Sequence, residues 1–266
     1  MSFVIGILNQ KGGVGKTTSA VTLGHGLANA GYRTLIVDLD PQGHVAQALG
    51  REKSPGLYNW LVVDRPLETI VQNICTNLDI LPSDKTTEAA KRHLHQVYFS
   101  ERILRDRLAA ASYPVIILDS APSMDILQVA ALVAAQFLLI PSKLDALAID
   151  GVNEILRSYA EIAMAGEGRS GGYAILPTFF DRVTKETLMQ FDELIGAFRD
   201  HVWPPIPSDV KAREAPAFGQ SLWDYAPDCP ALKGYQISNG NPDGSIRRVG
   251  GYRQVLDRLI EVVDRG

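Results

Sequence analysis

The sequence predicts an α/β fold, a mostly parallel twisted sheet with helices on both faces. Three observations predict it. Five or six apolar runs of strand length alternate with stretches of helical period along the 266 residues, the pattern of strand–helix–strand units. A glycine-rich loop stands between the first run, Phe3 to Leu8, and the first helical stretch. Two further runs end on aspartate, Thr34–Val37 before Asp38 and Tyr113–Leu118 before Asp119, and the carboxyl ends of parallel strands face the ligand crevice. The length suits one domain, residues 1–266, with a core of real size.

Bulk properties narrow the function. Apolar residues make up 46% and charged residues 21% of the chain, as in ordinary globular proteins. A formal net charge of −4 argues against a chain coated in nucleic acid, while leaving room for a local basic patch. Cys75 and Cys229 form no C-x-x-C pair and read as reduced thiols of a cytoplasmic protein. No basic region precedes the N-terminal apolar run, which therefore reads as a strand and not a signal peptide. Ile126 to Pro141 is broken by Gln128 and Gln136, so it reads as helix then strand and not as a membrane span.

The loop Asn9-Gln10-Lys11-Gly12-Gly13-Val14-Gly15-Lys16-Thr17-Thr18 carries the chemistry. Glycines 12, 13 and 15 let the backbone curl with its N–H groups inward, as a phosphate cradle requires, and the helix that follows adds unpaired N–H groups and its positive dipole end. Lys16 is placed to reach β- and γ-phosphates and the Thr17 hydroxyl to ligand Mg²⁺. Gln10 stands where the ordinary motif has its first glycine, and a second lysine, Lys11, opens the loop. This loop resembles the deviant Walker A motif of the ParA/MinD family of P-loop ATPases. The resemblance implies the P-loop NTPase fold, ATP and Mg²⁺ as cofactors, and nucleotide contacts from Lys11, Gly12, Gly13, Val14, Gly15, Lys16, Thr17 and Thr18. It also implies that Lys11 reaches across a nucleotide-sandwich homodimer to the partner's ATP.

After the helical stretch Thr17 to Ala30, the string Asp38-Leu39-Asp40-Pro41-Gln42-Gly43 resembles the family's switch I segment. There the second aspartate, here Asp40, orients the attacking water, and Asp38 supports the Mg²⁺ shell or the loop itself. Turn chemistry before Pro41 is the simpler reading of either aspartate alone. Gly56–Val63 and Leu67–Ile74 read as short helical patches, Leu78–Leu81 as a strand, and Thr86–Ala111 as helical. The strand ending at Asp119 is a Walker B arrangement, which delivers a carboxylate to Mg²⁺. Ser120-Ala121-Pro122-Ser123 resembles switch II, with Ala121 where proline is usual. Phe137–Pro141 and Tyr173–Pro177 read as strands, Thr184–Arg199 as a helix, and Val202–Pro207 as a last short strand. Pro207 falls where the family's adenine-contacting loop lies, and residues 142–151 where its dimer-crossing segment lies.

Residues 208–219 resemble the ParA segment Ile-Pro-Arg-Asn-Val-Arg-Leu-Ser-Glu-Ala-Pro, with departures at Ser208, Lys211 and Arg213. Lys211, Arg213, Arg247, Arg248, Arg253 and Arg258 concentrate in the last quarter of an otherwise acidic chain; the first five are the candidate DNA contacts. A Gly/Asn/Pro/Asp-rich insertion over 237–250 reads as a flexible loop or hairpin, and the terminal helix has a core-facing stripe, Val255, Leu256, Leu259, Ile260 and Val263. The resemblance implies a nucleoid-associated ATPase whose ATP-bound dimer binds DNA non-specifically and positions a plasmid, a chromosome or a protein cargo such as a carboxysome, with slow hydrolysis stimulated by a ParB-like or adaptor partner. A MinD-like membrane-associated ATPase is the alternative, but that reading needs a basic amphipathic tail which the balanced terminal helix does not supply, so no stable membrane association is expected. A nitrogenase-type electron-transfer ATPase needs cluster cysteines, and Cys75 and Cys229 do not lie where that family has them.

Overall fold

Each central strand is a run of Val, Ile and Leu because both of its faces are covered. Phe3–Ile7 (β1), Thr34–Asp38 (β2) and Val115–Asp119 (β5) are buried at every position. In this computed structural model, which describes residues 2–167, 171–236 and 248–266, they are joined by Gln72–Cys75 (β3), Leu78–Leu81 (β4), Phe137–Lys143 (β6) and Gly172–Thr178 (β7). The seven strands run in the order β3-β4-β2-β5-β1-β6-β7, parallel except for the β3–β4 pair.

Alternate residues of β1 feed two separate cores. Phe3, Ile5 and Ile7 face the helices Lys16–Asn29 and Gly251–Arg265, whereas Val4 and Leu8 face the helices Ile126–Ala134 and Ala148–Met164. The terminal helix buries Val255, Leu256 and Leu259, with Ile260 and Val263 half-covered beside them, and Tyr252 Oη lies 2.9 Å from Ser19 Oγ of the first helix. Its expected stripe is core packing.

Two segments depart from the sequence reading. Leu67, Ile70, Val71 and Ile74 fall at helical spacing, yet only Leu67–Thr69 turns, as a 3₁₀ segment, and β3 follows. Asn77 takes a φ of 65°, which closes a tight turn and lets β3 pair antiparallel with β4. Pairing overrides the helical period there. Val202–Pro207, expected as a short strand, runs along β7 through Trp203 N–H to Ile175 O at 2.9 Å and Ile206 N–H to Pro177 O at 2.8 Å. It makes isolated bridges and not a continuous strand, because Pro204, Pro205 and Pro207 have no N–H to give. Of the insertion expected at 237–250, residues 237–247, Arg247 included, lie outside the described residues; Arg248–Val249 pairs with Tyr235–Gln236 as a two-stranded ribbon.

Candidate active site

The sheet register brings the functional residues together. Asp38 pairs with Asp119 across β2 and β5, and Ile7 with Asp119 across β1 and β5, so both aspartates and the loop after β1 emerge side by side. The loop is anchored from two further strands. Asn9 Nδ2 donates to Pro141 O at 2.8 Å while its Oδ1 accepts from Lys11 N–H at 2.9 Å, and Thr178 Oγ1 donates to Val14 O at 2.9 Å. Gly13 and Gly15 stand at φ 72° and 91°, a left-handed conformation that costs an L-residue roughly 1–2 kcal/mol. A Cβ at Gly13 would project into clear space, so backbone shape and not crowding requires the glycine.

Around this cradle lies a cavity of about 360 Å³ lined by the loop glycines, Lys16, Thr17, Thr18, Asp40, Ser120 and Pro122. Lys16 is buried, and its Nζ donates to Lys11 O at 2.9 Å. Burial lowers its pKa, against the pull of Asp119 and Asp40. Thr17 Oγ1 donates to Asp119 Oδ2 at 2.8 Å, and the fully buried Asp119 Oδ1 has no hydrogen-bond partner among the described residues. Burial, reinforced by the charge of Asp38, pushes the Asp119 carboxyl well above its usual range. Asp40 is buried, with Oδ1 accepting Gln42 N–H at 2.9 Å.

A divalent cation fits this arrangement. Among the described residues no three carboxylate, imidazole or thiol groups converge as a cage, but Mg²⁺ is ordinarily held by one or two protein groups plus phosphate oxygens. Thr17 Oγ1 and the orphaned Asp119 Oδ1 are the groups here that would hold it. Asp38 fastens the Asp40 loop: its Oδ1 accepts Asp40 N–H at 3.0 Å and its Oδ2 accepts Val45 N–H at 3.1 Å.

Burial raises the Asp38 carboxyl to about 7, which has a consequence for stability. A carboxyl raised above its unfolded value binds its proton more tightly in the folded state. The associated stability is full below the unfolded pKa and is lost as pH rises through the folded one. Thermal melts of the nucleotide-free, Mg²⁺-free protein are therefore expected to fall as pH goes from 5 to 8. Adding Mg²⁺ with ADP flattens that slope by neutralising the cluster. A melt rising monotonically over this range contradicts the assignment.

Lys11 is not turned outward. Its Nζ sits 2.6 Å from both carboxylate oxygens of Asp145 in the same chain, with the two side chains 29% and 27% exposed. Against the burial that would raise it, the Lys11 hydrogen bond and charge hold the Asp145 carboxyl below the usual range. Sequence reasoning missed Asp145; its only signal was its place in the segment 142–151. Asn9 and Thr178, the loop anchors, were missed as well. Pro207 borders a small cavity of about 50 Å³ together with Gly15, Thr18, Phe179 and Arg213.

The candidate DNA contacts are dispersed among local partners. Lys211 pairs with Glu214 at 2.8 Å and lies over Tyr225; Arg253 lies over Trp223 and donates to Pro227 O at 3.2 Å; Arg248 donates to Gly234 O at 3.4 Å. Arg213 is exposed and borders the small cavity beside Pro207.

Comparison with known proteins agrees with this geometry. The AAA domain family model matches residues 2–167. The chain is 34% identical to the chromosome-partitioning ATPase Soj of Thermus thermophilus over 87% of its own length and 92% of that protein's. It is 31% identical to the chromosome partitioning protein ParA of Caulobacter vibrioides, covering 87% and 90%. The ATP complex of McdA from Cyanothece shares the fold, with a TM-score of 0.77 at 22% identity over 85% of this chain and 92% of that one. Cobyrinic acid a,c-diamide synthase from Mycobacterium smegmatis, solved with an ATP analogue and magnesium, superposes with a TM-score of 0.71 at 26% identity, covering 86% and 97%. The loop with two lysines, the buried aspartates at neighbouring strand ends and these relatives lead to one conclusion: the chain belongs to the ParA/MinD family of deviant Walker A P-loop ATPases.

Proposed function

We propose that this protein is a ParA-type positioning ATPase whose Mg²⁺-ATP form is a sandwich homodimer that binds DNA non-specifically. A ParB-like or adaptor partner stimulates its slow hydrolysis and releases it from DNA, and the cargo is a chromosome, a plasmid or a protein body such as a carboxysome. The observation that carries the reading is the different lodging of the two loop lysines. Lys16 is shut inside the cradle, whereas Lys11 sits at its rim in an ion pair that water can reach. A lysine so held is free to exchange its partner when a second copy and a triphosphate arrive. Mg²⁺ supplies charge neutralisation at the phosphates. Lys16 adds a fixed positive charge, Asp40 holds the attacking water, and Thr17 with Asp119 orients the ion.

The deciding experiment is binding to random-sequence duplex DNA with ADP and with ATP–Mg²⁺ at two salt concentrations. Binding is expected only with ATP and falls steeply with salt, because counterion release scales with the phosphates neutralised and a dimer doubles them. Absence of binding in both states moves the reading to a surface-positioning ATPase of the MinD kind.

The ion pair gives a second expectation. Lys11→Ala retains nucleotide binding but loses ATP-dependent dimers in sedimentation velocity. Asp145→Asn frees Lys11 and lowers the ATP concentration at which dimers form by up to about fivefold, the worth of a part-exposed ion pair. Dimers of Lys11→Ala at the wild-type ATP concentration contradict the role in trans.

A further inference from the structure

Away from the cradle, three chemically active side chains from three elements meet on the outer side of the first helix. His25 of the helix Lys16–Asn29 is 7% exposed at its side chain. Its Nε2 lies 3.6 Å from Cys75 Sγ on the edge strand β3, and its Nδ1 lies 3.5 Å from Asp224 Oδ2 on the short helix Leu222–Tyr225. The approach is built in. Trp223 Nε1 donates to Thr22 O at 2.7 Å, pinning that short helix across the first one. Gly26 leaves room for it, since a Cβ there would stand 3.0 Å from Trp223 Cζ2. His25 Nδ1 has no hydrogen-bond partner within ordinary reach.

The imidazole shows a different nitrogen to each neighbour, so the three groups do not converge on a point and do not form a metal site. They form a line of thiol, base and carboxylate, the order that activates a nucleophile. We propose that Cys75 is a base-assisted thiol that exchanges with low-molecular-weight disulfides. His25 Nε2 takes the Sγ proton and the sulfur attacks one sulfur of the disulfide. The new S–S bond forms as the old one breaks, and the departing thiolate takes the proton back from the imidazolium. Asp224, half exposed and accepting Ser221 Oγ–H at 3.0 Å, lies 3.5 Å from Nδ1 and steadies the transient charge of the ring.

The resting state suits this order of events. Burial lowers the His25 pKa, only partly opposed by Asp224, so the ring is neutral and able to accept a proton at neutral pH. Burial raises the Cys75 pKa, with Asp224 and Asp79 adding to it, so the thiol keeps its proton until the base removes it. Asp79 is itself engaged by Tyr113 Oη at 2.8 Å, Asn73 Nδ2 at 2.9 Å and Arg33 at 4.0 Å. The other neighbour of Cys75 Sγ is Thr76 O at 3.6 Å. Cys75 is partly exposed, while Cys229 is buried and its thiol is pushed by burial up to about 11. Cys229 therefore serves as an internal reference. His25 lies nine residues from Lys16, about 14 Å along the helix axis, so an adduct at Cys75 leaves the phosphate cradle open. The proposal stands apart from the DNA-bound cycle.

The test is the rate of mixed-disulfide formation with oxidised glutathione, read at each cysteine by peptide mass, from pH 6 to 8.5. Wild-type Cys75 is expected to react at a rate nearly level across this range, while Cys229 stays unmodified. His25→Leu is expected to slow Cys75 about a hundredfold at pH 7 and to restore the climb of about tenfold per pH unit of an unassisted thiol. Asp224→Asn, at an exposed position, keeps the fold and slows the reaction several-fold with the level profile retained. A wild-type rate that climbs with pH like an unassisted thiol overturns the proposal. So does a rate unchanged by Asp224→Asn and, where it folds, by His25→Leu.

Discussion

Replacing Lys16 with alanine weakens ATP binding by at least about a hundredfold in calorimetry, within the 2–5 kcal/mol that follows from deleting one side of a buried charged contact. Lys16 is the cation already inside the cradle, buried and within reach of both Asp119 and Asp40. Lys11 does not occupy the same place: it pairs with Asp145 at the rim. The nucleotide-free variant also melts at a lower temperature, since the buried Asp119 and Asp40 lose the positive charge that faces them. ATP affinity within about threefold of wild type would refute the cradle assignment.

Asp40→Ala separates binding from turnover. The Asp40 carboxylate borders the phosphate cavity, and among the described residues its only side-chain hydrogen bond is the local one from Gln42 N–H, so its loss leaves the cradle and its anchors standing. ATP affinity is expected to stay within about threefold, while phosphate release falls by a hundredfold or more, roughly what a positioned base or water-orienting group contributes. The variant accumulates in its ATP-bound form, visible as ATP-dependent dimers that persist. Unimpaired phosphate release removes Asp40 from the mechanism.

Much of this was legible because it lies in contiguous residues. The cradle from Gly12 to Thr18, the strand ending at Asp119 and the string from Asp38 to Gly43 each carry their chemistry in a short window, and the alternation of apolar runs placed them at strand ends. What the sequence concealed depends on contacts between distant positions. Lys11 and Asp145 are 134 residues apart, and nothing in either neighbourhood announces the other. That Asp38 fastens the Asp40 loop shows only in which N–H groups reach its oxygens. The helical spacing of Leu67, Ile70, Val71 and Ile74 was real but outweighed by pairing with β4. The basic residues of the last quarter were counted correctly as charges. Their dispersal among Glu214, Tyr225, Trp223 and the small cavity beside Pro207 depends on packing that composition does not encode.

The prolines beside β7 bear on stoichiometry. A sheet with an open margin can accept a strand from another molecule, and that molecule offers its own margin in turn, so growth has no natural end. Here one margin is capped by a segment with prolines at 204, 205 and 207, and the other ends in the four-residue β3, whose Asn73 carbonyl is already taken by Arg51. Both margins therefore discourage edge-to-edge pairing of copies, the route by which sheets grow without end, whereas an association through one self-complementary face closes at two copies.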